Sequence, residues 1–147
     1  MRCLEWVIPK ILAASARPGR ELGEEPVPKE IVDTWLAKVR DMSIKSIICL
    51  LDSKHLGLYD SLDAGLIEYY SNCGFSVYHC PIKDPAYYRG GQAELGQNLA
   101  RLWKIYNTLP KPVLVHCSAG EDRTGRVIEY LQDRISERES SVMFVQK

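Results

Sequence analysis

Cys117 and Arg123, six positions apart in a chain of 147 residues, are the side chains best suited to covalent chemistry. Between them lie Ser118, Ala119, Gly120, Glu121 and Asp122, all small or polar, with a glycine in the middle. The run Val113-Leu114-Val115-His116 leads in, and Thr124-Gly125 leads out to Val127, Ile128, Leu131 and Ile135 at helical spacing. The segment therefore reads as a buried strand, a tight loop and a helix opened by Arg123. A loop of this length can curl so that successive backbone N–H groups point inward and make an anion-binding nest. The helix N-terminus adds its unpaired N–H groups and the positive end of its dipole. Arg123 can close the ring with a planar, two-pronged grip on phosphate oxygens. The same field favours the thiolate form of Cys117. The chemistry expected of such a constellation is attack by sulfur on a cradled phosphate.

His116-Cys117-x5-Arg123-Thr124-Gly125 resembles the H-C-x5-R-[S/T] signature of the cysteine-dependent protein tyrosine phosphatase superfamily. The short chain and late position of the loop look like its dual-specificity and atypical branch. The resemblance covers the order of elements over residues 10–138, but its specific residues lie in the loop. It implies that Cys117 is the nucleophile and forms a cysteinyl-phosphate that water then hydrolyses. It makes Ser118, Ala119, Gly120, Glu121, Asp122 and Arg123 the phosphate-binding residues. By the same resemblance, the Thr124 hydroxyl bonds the sulfur and His116 orders the loop and tunes the thiolate. A general acid is expected on the loop after the preceding strand. Cys80-Pro81-Ile82-Lys83-Asp84-Pro85 supplies Asp84 there, although an Asp-Pro pair also starts turns. Asp52, Asp60 and Asp63 are the alternatives. Tyr87, Tyr88 and Arg89 share the Asp84 loop and are candidates for the pocket wall. Some relatives protect the nucleophile through a disulfide to a second cysteine; Cys49 and Cys80 read more simply as small core residues.

Two features depart from the family pattern. Branches acting on phosphoinositides often carry a lysine where this chain has Glu121, and the acidic pair Glu121-Asp122 disfavours highly phosphorylated substrates unless it points outward. Asp122 is expected to pair with a nearby arginine such as Arg126. Family members also follow the loop helix with at least one more core helix. Here Arg134–Ser141 is highly charged and only Val142-Met143-Phe144-Val145 is apolar, a tail suited to an edge element or to self-association. The expectation is one phosphatase domain over residues 1–147, either minimal or shortened at its C-terminal end.

The elements that must hold the loop follow from patterning. Residues 4–14 are apolar but broken by Pro9, which suggests two short strands or a kinked edge strand. Ser15–Arg20 turns, and Gly23–Pro28 is a proline-punctuated loop. Val32, Trp35, Leu36 and Val39 predict a helix over 28–42, with Pro28 in its first turn. Residues 44–51 and 75–80 read as strands, and 60–73 as a helix followed by Gly74 as a C′ residue. Leu95, Leu99, Leu102, Trp103 and Tyr106 predict a long helix ended by Pro110. Strands alternating with helices predict an α/β fold, a central mostly parallel sheet with helices on both faces. In such sheets ligands bind beyond the carboxyl ends of the strands, where Cys117 falls.

Composition adds boundaries. Nineteen basic and 19 acidic side chains balance, so no global charge calls for a nucleic-acid or anionic-membrane partner. No stretch approaches the roughly 20 apolar residues that span a bilayer, and no signal-peptide pattern opens the chain. Five scattered cysteines suit reduced thiols and a cytoplasmic location better than a disulfide framework. His55 and His79 lack clustered partners, so neither metal nor cofactor is implied. The reading is a phosphomonoester hydrolase acting on protein phosphotyrosine, with phosphoserine and phosphothreonine as further substrates. Phosphoinositides, nucleotides or RNA 5′ phosphates are the alternative substrates. A non-catalytic phosphate-binding module, and thiol chemistry such as sulfur transfer, are the competing classes.

Overall fold

Every strand is four residues long: β1 (Glu5–Ile8), β2 (Leu12–Ser15), β3 (Ser46–Cys49), β4 (Ser76–His79) and β5 (Val113–His116). They form one sheet in the order β1-β2-β5-β3-β4, with β1 antiparallel to β2 and the other pairs parallel. The computed structural model describes residues 1–85 and 87–145, the last four as backbone alone. The helices are α1 (Lys29–Asp41), the single turn α2 (Ser53–Leu56), α3 (Gly65–Asn72), α4 (Gly91–Thr108) and α5 (Asp122–Val145).

β2, β3 and β5 are buried at every position, so their side chains alternate between two cores. On one face Leu12, Ala14, Ile48, Val113 and Val115 meet Leu95, Leu99 and Leu102 of α4 and Val127, Leu131 and Ile135 of α5. On the other, Ala13, Ile47, Cys49 and Leu114 meet Val32, Leu36 and Val39 of α1 and Leu66 and Tyr70 of α3. This is the expected α/β architecture. The alternation continues past β5: His116 follows Leu114 toward α1 and α3, and Cys117 follows Val115 toward α4 and α5.

Two expected elements differ. The helix expected from residue 60 starts only at Gly65, because Gly65, its first residue, has φ +84°, a left-handed conformation that a right-handed helix running on from residue 60 does not pass through. Residues 53–59 form α2 and a short 3₁₀ turn instead, and Leu62 is buried from the turn rather than from a helix. At the C-terminal end α5 runs unbroken to Val145, so Val142–Val145 continues the helix and is no edge strand. The side chains of 142–145, and with them the expected self-association, lie outside the described residues.

Candidate active site

The loop after β5 is held from outside by its carbonyls. Leu50 N–H donates to His116 O at 2.9 Å, Arg17 N–H to Ser118 O at 2.9 Å and Arg2 N–H to Ala119 O at 2.8 Å. The His116 ring contributes Nδ1 to Cys117 O at 3.0 Å, and the Arg2 side chain gives Nε to Gly120 O at 2.6 Å. Five consecutive carbonyls, 116 to 120, thus face donors on the outer side. In a trans peptide the N–H points opposite to its C=O. The N–H groups of Cys117, Ser118, Ala119, Gly120 and Glu121 are therefore turned to the inner side, where they make a concave row. Gly120 is what lets the row bend. Its φ is +78°, and a Cβ there would lie 2.6 Å from Ser15 O and 2.7 Å from Ala16 N.

His116 is fully buried. Its Nε2 is 3.0 Å from Tyr70 Oη, and its ring stands edge-on to Trp35 and Tyr70. A backbone carbonyl can only accept, so Nδ1 carries the proton that bonds Cys117 O, and Nε2 accepts from the Tyr70 hydroxyl. Burial pushes the imidazole pKa down to about 4 against the weaker opposing pull of the Cys117 carbonyl. The ring is neutral and fixed in one tautomer.

Cys117 is 2 % exposed, and Arg123 and Thr124 are buried with it. Arg123 Nη1 donates to Ile82 O at 2.8 Å and, at 3.5 Å, to Leu50 O, while Nη2 is 3.5 Å from Asp84 Oδ2. One guanidinium therefore ties the start of α5 to the segments after β3 and β4. The Thr124 Oγ1 is buried without a hydrogen-bond partner, which leaves it able to donate to sulfur or to a bound oxyanion. Asp84 lies beyond β4 on a segment clamped by Ile82 N–H to Leu50 O at 3.2 Å. Its own carbonyl accepts from Tyr87 and Tyr88 N–H. Of the alternative acids, Asp60 and Asp63 are exposed on the turn before α3. Asp52 is buried, with Oδ1 3.7 Å from His55 Nδ1.

Around this centre the rim is polar and aromatic. Tyr87 and Tyr88 are exposed, and Lys54 sits 4.5 Å over the Tyr87 ring and Lys83 5.4 Å over that of Tyr88. Arg89 is exposed on the same loop. Glu121 and Asp122 point outward: Glu121 Oε1 is 3.1 Å from the Met1 nitrogen, and Asp122 occupies the first turn of α5, where a carboxylate suits the helix dipole. The Asp122–Arg126 pair expected from sequence does not form; both side chains are exposed. Cys49 and Cys80 are buried and form no disulfide, and burial raises the Cys49 thiol to about 12.

Patterning overlooks Arg17. It is 2 % exposed at the end of β2, with Nε 3.2 Å from Ser118 Oγ, Nη1 3.3 Å from Tyr59 Oη and Nη2 2.6 Å from Gly23 O. All three partners are neutral. The only sequence signal was an arginine at the carboxyl end of a strand, hidden in what otherwise reads as an Arg-Pro-Gly turn.

A family model describing the tyrosine phosphatase family matches residues 84–143. Over this span, which is less than half of the chain, the sequence is similar to that family. The matched stretch runs from Asp84 through β5 and the loop into α5, so it contains the carbonyl-held row and Arg123. The match supports phosphatase activity, a hydrolysis, and hence a phosphorylated substrate. No curated protein matches the chain. Among the described residues, no helix is long and apolar enough to cross a membrane.

Proposed function

We propose that the chain is a single cysteine-dependent phosphatase domain that hydrolyses phosphomonoesters on protein, phosphotyrosine foremost. The row of inward N–H groups after β5 carries the reading: its carbonyls are each held by an outside donor, and a phosphoryl-transfer transition state spreads charge over three equatorial oxygens that such fixed donors can meet. The Cys117 thiolate attacks phosphorus in line; the S–P bond forms as the P–O bond to the leaving group breaks. Arg123 exchanges its 3.5 Å contact with Asp84 for a phosphate oxygen, and Asp84 gives its proton to the leaving oxygen. Water then attacks phosphorus, Asp84 takes a proton from it, and the S–P bond breaks. Thr124, whose buried hydroxyl has no other partner, donates to the departing sulfur. His116 holds the loop through Cys117 O.

The rim favours a protein substrate. Tyr87 and Tyr88 are exposed on the loop that carries Asp84, and aromatic side chains there suit contact with a phosphotyrosine ring. Glu121 and Asp122 point outward, so the acidic pair does not by itself bar polyphosphorylated inositols or RNA ends. The test is a Cys117→Ser variant assayed on an aryl phosphate. Hydrolysis is lost while phosphate binding survives; turnover retained by that variant refutes the cysteinyl-phosphate route. Parallel assays of phosphotyrosine peptides, inositol phosphates and 5′-phosphorylated RNA then assign the substrate, and higher kcat/KM on either non-protein class overturns the protein reading.

A further inference from the structure

Two of the five donors that hold the loop belong to one residue far from it in sequence. Arg2 N–H donates to Ala119 O at 2.8 Å and Arg2 Nε to Gly120 O at 2.6 Å, while Arg2 O accepts from Ala16 N–H at 3.0 Å and so anchors the residue to the end of β2. Its guanidinium is braced by Glu5 Oε1 at 3.3 Å and lies against the first turn of α5, 3.9 Å from where a Gly125 Cβ would be. The carbonyls it grips belong to the peptides on either side of Gly120. Those are the peptides with most freedom to rotate, because glycine populates both signs of φ. Rotation of the Gly120–Glu121 peptide would aim a carbonyl oxygen, in place of an N–H, at an oxyanion in the row. The Nε contact opposes that flip directly.

We propose that Arg2 is a positioning residue for catalysis: its side chain locks the Gly120–Glu121 peptide so that the Glu121 N–H faces the transferring phosphate. The proposal rests on the phosphatase reading above and adds to it a residue outside the span that matches the family. Arg2 touches neither substrate nor reacting atoms; it acts through the loop.

The experiment compares wild type with Arg2→Met, Arg2→Lys and Glu5→Gln on para-nitrophenyl phosphate, with inhibition by orthovanadate and urea midpoints measured alongside. Wild-type hydrolysis tests the underlying reading by itself, and the variants test the lock. Arg2→Met keeps the backbone N–H to Ala119 and loses the side-chain donor. Its kcat falls about tenfold, between the roughly fivefold worth of one net hydrogen bond and the roughly 100-fold lost with a whole oxyanion donor. Vanadate inhibition weakens in parallel, KM changes less than twofold, and Arg2→Lys, which restores a donor, recovers part of kcat. Glu5→Gln, which leaves both grips intact and keeps an accepting oxygen at an exposed pair worth little, behaves as wild type. Folded Arg2→Met with wild-type kcat and vanadate affinity overturns the proposal. So does a kcat loss that Arg2→Lys leaves untouched and that follows the urea midpoint across all the variants. If wild type hydrolyses no ester, the phosphatase reading fails; the lock is then judged by the Glu121 amide ¹⁵N shift on phosphate addition, present in wild type and lost in Arg2→Met if it holds, equal in both if it does not.

Discussion

Acidification should destabilise this fold through His116 before it protonates most carboxylates. In the native state the imidazole is buried, donates to Cys117 O and accepts from Tyr70, and its pKa lies near 4; in the unfolded chain it returns to about 6.5. A depressed folded value means that the unfolded state binds the proton first. The contribution is therefore complete above about pH 6.5 and is lost as pH falls toward 4. At about 1.4 kcal/mol per pH unit, that group alone removes roughly 2 kcal/mol between pH 7 and pH 5, and roughly 3 kcal/mol by pH 4. Urea unfolding at pH 7, 6 and 5, for wild type and His116→Asn, isolates it. His55, which burial also shifts downward, titrates in both proteins and cancels in the comparison. Wild type should lose roughly 2 kcal/mol more than the variant over that interval. Equal losses would refute the neutral, buried, single-tautomer histidine and with it the account of how Cys117 O is held.

Asp84→Ala should slow esters with poor leaving groups by on the order of 10²-fold or more, yet barely slow those with good ones; equal losses on both would point to another acid, Asp52 being the buried alternative. Gly120→Ala should remove anion binding and activity while far-UV circular dichroism stays native-like, because its Cβ would collide with the Ser15–Ala16 backbone at 2.6 to 2.7 Å; an active alanine variant would disprove the loop geometry. In native protein, iodoacetamide should label exposed Cys3 and leave Cys49 unmodified until denaturant is added, since burial holds the Cys49 thiol at about 12. Mass spectrometry of digests reads that contrast, and early Cys49 labelling would contradict its packing.

Patterning made most of this legible where periodicity and spacing coincide. Fully apolar Val113–Val115 followed by Cys117, Gly120 and Arg123 located a strand, a loop and a helix, and these elements stand in the order read. It failed where one residue's conformation decides. The Leu62, Leu66 and Tyr70 spacing continued a helix backward through Gly65, whose left-handed φ carries no hydrophobic signature. It failed again for Arg2 and Arg17, whose roles depend on which strand ends meet. Polar side chains at the edges of elements have no period to reveal them, and only the order β1-β2-β5-β3-β4 brings both beside Ser118–Gly120. The Asp122–Arg126 pair was read from proximity in sequence, but a first-turn carboxylate is already stabilised by the helix dipole, and an exposed pair adds little.

Four of the five carbonyls in the loop are held by Arg2, Arg17 and Leu50, with His116 the one local donor, so the proposed anion site depends on distant segments. Isolated, the stretch from β5 into α5 would keep its sequence motif and lose the outside contacts that orient it. Closing those contacts requires joining segments separated by 118 residues in the widest case, which makes them late, high-contact-order events in folding. On the proposed function, phosphate affinity would thus report on folding. A partly folded species with its helices formed but the N-terminal hairpin undocked would pass a test of secondary structure and fail to bind an oxyanion. By mass action, an oxyanion that selects the docked state would pull such species toward it.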